Sequence, residues 1–141
     1  FARSHPGGKL GRRLLLLVGD LMHTGEKVPK ISSNTLLAGG LVEMTAKGLG
    51  ITAVVDANGK LEGVYSDGDL RRSLDNAVDV HTTTVREVMT KNAITVRPKL
   101  LAAEAVRLLE QHKITSLIVI EEDKTVVGAL NVHDFFRAGV M

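Results

Sequence analysis

Two short polar motifs in this chain combine residue types that can bind a ligand or cap the N-terminus of a helix. Ser66 and Asp69 stand three positions apart, and Asn131 and Asp134 repeat that spacing later in the chain. A hydroxyl or amide followed at this distance by a carboxylate is typical of a helix start, where both side chains bond unpaired backbone N–H groups. Such a start also attracts anions. All four residues are candidate ligand contacts, with capping alone as the alternative, and the bulkier Asn131 makes that alternative stronger in the second motif.

An arginine follows each of the two motifs. Arg72 and Arg137 lie three residues after the two aspartates. A guanidinium group can hold a phosphate or a carboxylate through two parallel hydrogen bonds. An arginine on a helix surface is also commonly solvated or paired with a nearby acid, such as Asp75 beside Arg72. Arg72 and Arg137 are therefore candidate ligand contacts, with an ordinary surface role as the alternative.

The spacing of the histidines does not favour a metal site. His23, His81, His112 and His133 form no HxH or HxxxH pair accompanied by a carboxylate, and the chain contains no cysteine. Zinc and other transition metals in proteins need several such ligands close together. We therefore expect no bound metal and no required cofactor.

The elements that carry the two motifs form an internal repeat. Residues 63–72 recur as residues 128–137 at an offset of 65, and residues 20–23 recur as residues 87–90 at an offset of 67. A duplicated unit of this size cannot close its own core, and packing of the two copies closes it. In each copy, apolar runs and turn residues predict a strand, a helix, a strand pair and a last helix. The sequence thus predicts an α/β (α+β) fold in which two β-α-β-β-α repeats pack as a pseudo-two-fold pair.

The amino-acid composition limits the kinds of partner that this chain can bind. The 141-residue chain has a net charge of +2, but residues 1–19 carry four bases and no acid, which leaves 14 bases against 16 acids in the remainder. With one tyrosine, three phenylalanines and no tryptophan, the chain also offers few platforms for stacking bases. No apolar run approaches the roughly 20 residues of a membrane-spanning helix. We expect a cytoplasmic protein that binds neither nucleic acid nor a membrane.

These residues carry a family resemblance. Two β-α-β-β-α copies, each opening with a Met-containing box (Asp20 to Met22; Glu87 to Met89) and closing with G-h-h-S/N-x-x-D, where h is an apolar residue, resemble a tandem cystathionine-β-synthase (CBS) domain pair. The preceding residues 4–13, SHPGGKLGRR, resemble the arabinose-5-phosphate isomerase family. Such an isomerase interconverts D-arabinose 5-phosphate and D-ribulose 5-phosphate for synthesis of the Kdo sugar of lipopolysaccharide. The resemblance implies that residues 1–19 are the tail of the sugar-isomerase domain and a linker, with repeats at 20–79 and 80–141.

The resemblance also implies roles for the candidate residues. In CBS pairs the serine and aspartate of the closing motif typically contact a ribose, so the chain would be a regulatory module that senses a nucleotide or a CMP-Kdo-like nucleotide-sugar. In the isomerase family the histidine of the SHPGG motif belongs to the active site, and His5 matches it. We expect no catalysis from this chain alone, because it lacks the rest of that domain.

Two functional classes stay open at this point. In the first, a ligand bound between the repeats regulates the chain's own N-terminal isomerase domain. In the second, the clefts are empty and the pair is a structural module that assembles the protein through its apolar helix faces into a homo-oligomer. The sequence alone identifies neither the ligand nor the number of clefts that bind it.

Overall fold

The computed structural model describes residue 11 and residues 14–141, and these form two copies of one arrangement of strands and helices. The elements of the first copy are α1 (Val18–Leu21), a 3₁₀ helix (Gly25–Lys27), β1 (Lys30–Ser32), α2 (Leu37–Lys47), β2 (Ile51–Val55), β3 (Leu61–Ser66) and α3 (Asp67–Asp75). Those of the second are α4 (Val85–Val88), β4 (Thr95–Val96), α5 (Ala102–His112), β5 (Ser116–Ile120), β6 (Val126–Asn131) and α6 (Val132–Arg137). The predicted β-α-β-β-α order is confirmed in both copies.

Each copy contains a three-stranded sheet with the same topology. In the order β1-β2-β3, the first pair is parallel and the second antiparallel, and β4-β5-β6 follows the same pattern. The registers match as well, because Ala53 faces Val64 in the first sheet and Ile118 faces Ala129 in the second. Both members of the second pair lie 65 positions after those of the first, so the sequence offset is also the structural equivalence.

The two sheets pack against each other through a shared apolar core. Small and branched residues of β2 and β3 meet their counterparts from β5 and β6, and this cluster includes Ala53, Val64, Ile118 and Ala129. Successive side chains of a strand point to opposite faces, so the alternate residues of each strand face its own helices. Val54, for example, packs with Leu37 and Met44 of α2. The predicted pairing of copies that close each other's core is therefore confirmed.

The chain crosses over between the two copies, in a way that the repeat alone did not predict. The backbone of His23, just after α1, pairs with Ala129 of β6 in the second sheet, with N···O distances of 2.9 and 3.2 Å. Thr90, just after α4, pairs in the same way with Val64 of β3 in the first sheet, at 2.9 and 2.8 Å. The residue that follows the opening box of each copy thus pairs with the sheet of the other.

Two glycines make these crossings possible. A Cβ atom built on Gly63 would lie 2.8 Å from both the Met89 sulfur and the Thr90 carbonyl oxygen, and one built on Gly128 would lie even closer to the Met22 sulfur. The two methionines pack over these glycines at the edge of the apolar clusters. Met22 and Met89 are therefore core-packing residues.

The helices of the described part of the chain are short, and none is long and apolar enough to cross a membrane.

Gly40 of α2 is buried against Ile31 of β1 and Val85 of α4, and a Cβ there would lie 3.1 Å from each. Gly40 is therefore a position of close approach between the two copies. The boundaries 1–19, 20–79 and 80–141 stay a prediction.

Candidate functional site

The first polar motif opens onto a cavity between the two copies. Its volume is about 470 Å³. One wall comes from the end of β3 and the start of α3, and the other from the end of α5 and the start of β5. The polar lining residues include Ser66, Asp69, Arg72, Thr90, Lys113 and Ser116. Three predicted site residues of the first copy are thus brought together in one cavity, with partners from the second copy.

Asp69 is the most heavily bonded side chain of this cavity. Asp69 is only 4% exposed, and its carboxylate accepts four hydrogen bonds. One oxygen accepts from the backbone N–H of Ser66 at 2.9 Å and from its hydroxyl at 3.1 Å. The other accepts from Arg72 at 2.5 Å and from the Thr90 hydroxyl at 2.7 Å. Together these four donors fix the position of the carboxylate in the cavity wall.

The start of α3 is a capping box. The Ser66 hydroxyl accepts from the backbone N–H of Asp69 at 3.4 Å, while Asp69 accepts from the backbone N–H of Ser66. The capping role expected of the pair is therefore present in this structure. The same geometry leaves both side chains at the cavity wall, so capping and ligand contact are compatible, and ligand contact stays a prediction.

A buried tyrosine supports the helix behind Asp69. Tyr65 donates a hydrogen bond from its phenol to the Ser73 hydroxyl at 2.9 Å, and both residues are buried. Burial raises the pKa of Tyr65 above its ordinary value of 10.0, and the negative charge of Asp69 adds to the effect. The phenol therefore stays neutral at ordinary pH and fixes α3 on the sheet.

Lys113 on the opposite wall has a backbone conformation that is unusual for a lysine. It ends α5 in the left-handed region, with φ 54° and ψ 45°. The equivalent residue of the first copy is Gly48, with φ 70°, which adopts this conformation without a steric penalty. A strained residue in a cavity wall is a reason to suspect function. Sequence reasoning missed Lys113, although the offset of 65 pairs it with that glycine.

The second polar motif forms a similar cluster with one difference. Asp134 accepts hydrogen bonds from the backbone N–H of Asn131 at 2.9 Å, from Arg137 at 2.6 Å and from the imidazole of His23 at 2.9 Å. His23 therefore occupies the position that Thr90 holds beside Asp69. An imidazole is larger than a hydroxyl, and the Asp134 side chain is about as buried as that of Asp69, at 5% and 4% exposed.

The structure places six of the seven predicted site residues in two clusters. Ser66, Asp69 and Arg72 line the cavity, and Asn131, Asp134 and Arg137 surround the second motif. His5 lies outside the described residues. Arg72 pairs with Asp69 rather than with Asp75. No group of three potential metal-binding His, Asp or Glu side chains occurs in the described residues.

One protein family matches the chain in two separate ranges. The model of the CBS domain matches residues 18–76 and residues 85–140. These ranges contain both polar motifs and both opening boxes.

Curated relatives match the whole chain. Arabinose 5-phosphate isomerase KdsD of Pseudomonas aeruginosa is 56% identical over 141 residues, and the enzyme of that name from Escherichia coli K12 is 48% identical. The match covers 100% of this chain but only 43% of either relative, so the chain spans less than half their length.

Solved structures share the fold. Protein CBSX2 in complex with AMP is 28% identical, with a TM-score of 0.75 over 89% of this chain and 96% of that one. The CBS domain pair of protein MJ0100, in complex with 5′-methylthioadenosine and S-adenosyl-L-methionine, is 22% identical, with a TM-score of 0.77 over 87% and 94%. The second likeness concerns the fold alone.

Proposed function

The chain belongs to the CBS domain family, and from that premise we propose that it is a regulatory module that binds a nucleotide or nucleotide-sugar in the cavity beside Asp69. The observation that carries the proposal is the cavity of about 470 Å³, which joins the polar motif of one copy to a wall of the other that includes Lys113. This volume lies in the range of sites for small organic ligands.

The chemistry of the lining fits a phosphorylated ribose. Asp69 and Ser66 offer a carboxylate and a hydroxyl to ribose hydroxyls, and Arg72 and Lys113 offer positive charge to a phosphate or to the carboxylate of a nucleotide-sugar. That CBSX2 forms a complex with AMP supports this class of ligand. A CMP-Kdo-like nucleotide-sugar combines a ribose, a phosphate and a carboxylate, and it is the most specific candidate.

We place the main ligand site beside Asp69 and give Asn131, Asp134 and Arg137 a lesser part. His23 already bonds Asp134, and its imidazole is bulkier than the Thr90 hydroxyl that bonds Asp69. The helix that follows Asn131 has only six residues. A ligand at the second motif would have to fit beside the His23 imidazole.

The regulated activity that we propose is the isomerisation of D-arabinose 5-phosphate and D-ribulose 5-phosphate, in the cytoplasm and on the path to Kdo and lipopolysaccharide. The names of the relatives at 56% and 48% identity support it. His5 would belong to the active site of the longer enzyme. A ligand would regulate this enzyme by binding two arrangements of the pair with different affinity.

A structural role is the second candidate, and exposed apolar side chains favour it. Val42 on α2 and Phe136 on α6 are each 69% exposed, and Leu74 and Leu101 are also exposed. Such residues on helix faces suit a symmetric interface between two copies of the chain. Assembly and ligand binding are compatible, but assembly with empty clefts would leave the Asp69 cavity without a role.

Kinetics of the longer enzyme test the proposed regulation. We expect AMP, CMP or CMP-Kdo to change the rate of arabinose 5-phosphate turnover, and Asp69→Ala in the regulatory pair to abolish that response while the basal rate stays close to wild type. A turnover rate that none of these ligands changes would favour the structural role. Light scattering on the 15.1 kDa chain then decides whether that role includes a dimer.

A further inference from the structure

The Asp69 carboxylate has no free position for a ribose hydroxyl in this structure. A carboxylate offers about four lone-pair sites. Four donors already occupy them, namely the backbone N–H and hydroxyl of Ser66, the hydroxyl of Thr90 and the guanidinium of Arg72. A ribose can therefore bond Asp69 only if one of these donors leaves.

Three of the four donors are held in place by the fold. The Ser66 groups belong to the capping box of α3. Thr90 is tied to β3 by two backbone hydrogen bonds with Val64, of 2.9 and 2.8 Å. Arg72 is held by its side chain alone, which is 66% exposed at the mouth of the cavity. It is the donor that can move away at the least cost, since water can solvate a guanidinium that swings outward.

We propose that Arg72 exchanges partners when the ligand binds: it leaves Asp69 as the ribose hydroxyls arrive and then binds the phosphate of the same ligand. This inference rests on the proposed ligand site. Ribose hydroxyls bring no charge to replace that of the guanidinium, whereas a phosphate supplies the anion that the released Arg72 lacks. Arg72 therefore makes the cavity select nucleotides over nucleosides, and Lys113 on the facing wall strengthens that selection.

The exchange predicts opposite effects of one substitution on two related ligands. In Arg72→Met, Asp69 has a free position from the start, so a neutral nucleoside no longer has to displace an ion pair and binds more tightly. A nucleotide gains the same free position but loses its phosphate partner, and it binds more weakly. Without the exchange, Arg72→Met would still weaken the nucleotide if Arg72 contacts its phosphate, but it would not tighten binding of the nucleoside.

Calorimetric titration with two probe pairs, AMP with adenosine and CMP with cytidine, tests the exchange on the 141-residue chain. For the pair that binds, we expect Arg72→Met to lower the preference for nucleotide over nucleoside by about tenfold or more. The nucleoside itself should bind more tightly than to wild type. Arg72→Lys keeps a cation and should retain much of the preference.

Arg107→Met is the matched control. Arg107 forms the same i,i+3 ion pair with Glu104, but on the exposed face of α5 away from the cavity. It should leave both affinities unchanged, which separates the exchange from a general effect of surface charge.

Three outcomes would overturn the inference. If wild type binds neither probe pair, the proposed ligand site fails and the exchange fails with it. If wild type binds AMP or CMP but Arg72→Met weakens nucleotide and nucleoside equally, the ligand site stands and the exchange is wrong. If Thr90→Val rather than Arg72→Met tightens nucleoside binding, Thr90 is the donor that yields.

Discussion

The chain segment that crosses between the two copies packs directly on Gly63. We therefore predict that this glycine cannot be replaced without a loss of stability. In Gly63→Ala the new methyl group would lie 2.8 Å from the Met89 sulfur and 2.8 Å from the Thr90 carbonyl oxygen. The sulfur ends a flexible side chain and can move. The carbonyl cannot move alone, because it accepts the 2.9 Å hydrogen bond from Val64 that joins the crossing segment to β3.

The magnitude follows from this geometry. Overpacking of a well-packed site by one methyl group costs about 1–3 kcal/mol of unfolding free energy. For a domain of this size each kcal/mol lowers the melting temperature by about 4 °C, so we expect a decrease of about 4–12 °C. Shifting Thr90 away from β3 would also move its hydroxyl away from Asp69, so the same substitution changes the lining of the cavity.

Thermal and urea unfolding followed by circular dichroism measures the effect, with Gly39→Ala as the control. Gly39 lies on the exposed side of α2, where a Cβ would meet only a methyl group of Thr35 at 3.1 Å. Replacing a helical glycine by alanine there should be neutral or stabilise by up to about 1 kcal/mol. A Gly63→Ala protein as stable as the Gly39→Ala protein would refute the reasoning that the crossing requires a glycine.

Three further predictions concern single side chains. Thr52→Val should raise the free energy of unfolding by about 1 kcal/mol in urea titration, because the Thr52 hydroxyl is fully buried without a hydrogen-bond partner. Tyr65→Phe should lower the free energy of unfolding by about 1–2 kcal/mol, because the buried Ser73 hydroxyl would lose its hydrogen-bond donor. Burial raises the pKa of Tyr65 in the folded state, so wild-type stability should be intact below about pH 10 and fall above it, and the variant should lack this fall. Lys113→Gly should stabilise the fold by about 0.5–1 kcal/mol, as Gly48 does in the other copy, and weaken nucleotide binding measured by calorimetry.

The order of strands and helices could be predicted from the sequence because equivalent residues of the two copies are separated by a constant offset. Ala53 and Val64 face each other, and so do the residues 65 positions later, so one offset predicted both the order of the elements and their equivalence. Residues 20–23 recur as residues 87–90 at the different offset of 67, but this did not predict that these segments cross to the other sheet. That depends on packing over Gly63 and Gly128, which are far from those segments in sequence.

The candidate site was predicted only in part. Local spacing identified Ser66 and Asp69, because a capping box is a property of four consecutive residues. Thr90, which lies 21 positions away from Asp69, and His23, which lies 111 positions from Asp134, reach the clusters only through the crossing. No local pattern could reveal these partners. They are the features that distinguish one cleft from the other.

Titration of the purified chain with AMP, CMP and CMP-Kdo tests the central claim most directly, with Asp69→Asn and Asp134→Asn as paired variants. We predict that wild type binds at least one of these ligands. Asp69→Asn should weaken that binding by about tenfold or more, since a hydrogen bond to a charged group contributes about 1.5–3 kcal/mol, and Asp134→Asn should change it far less. Absence of binding to wild type, or equal binding by wild type and a folded Asp69→Asn protein, would contradict a regulatory nucleotide site in this cavity.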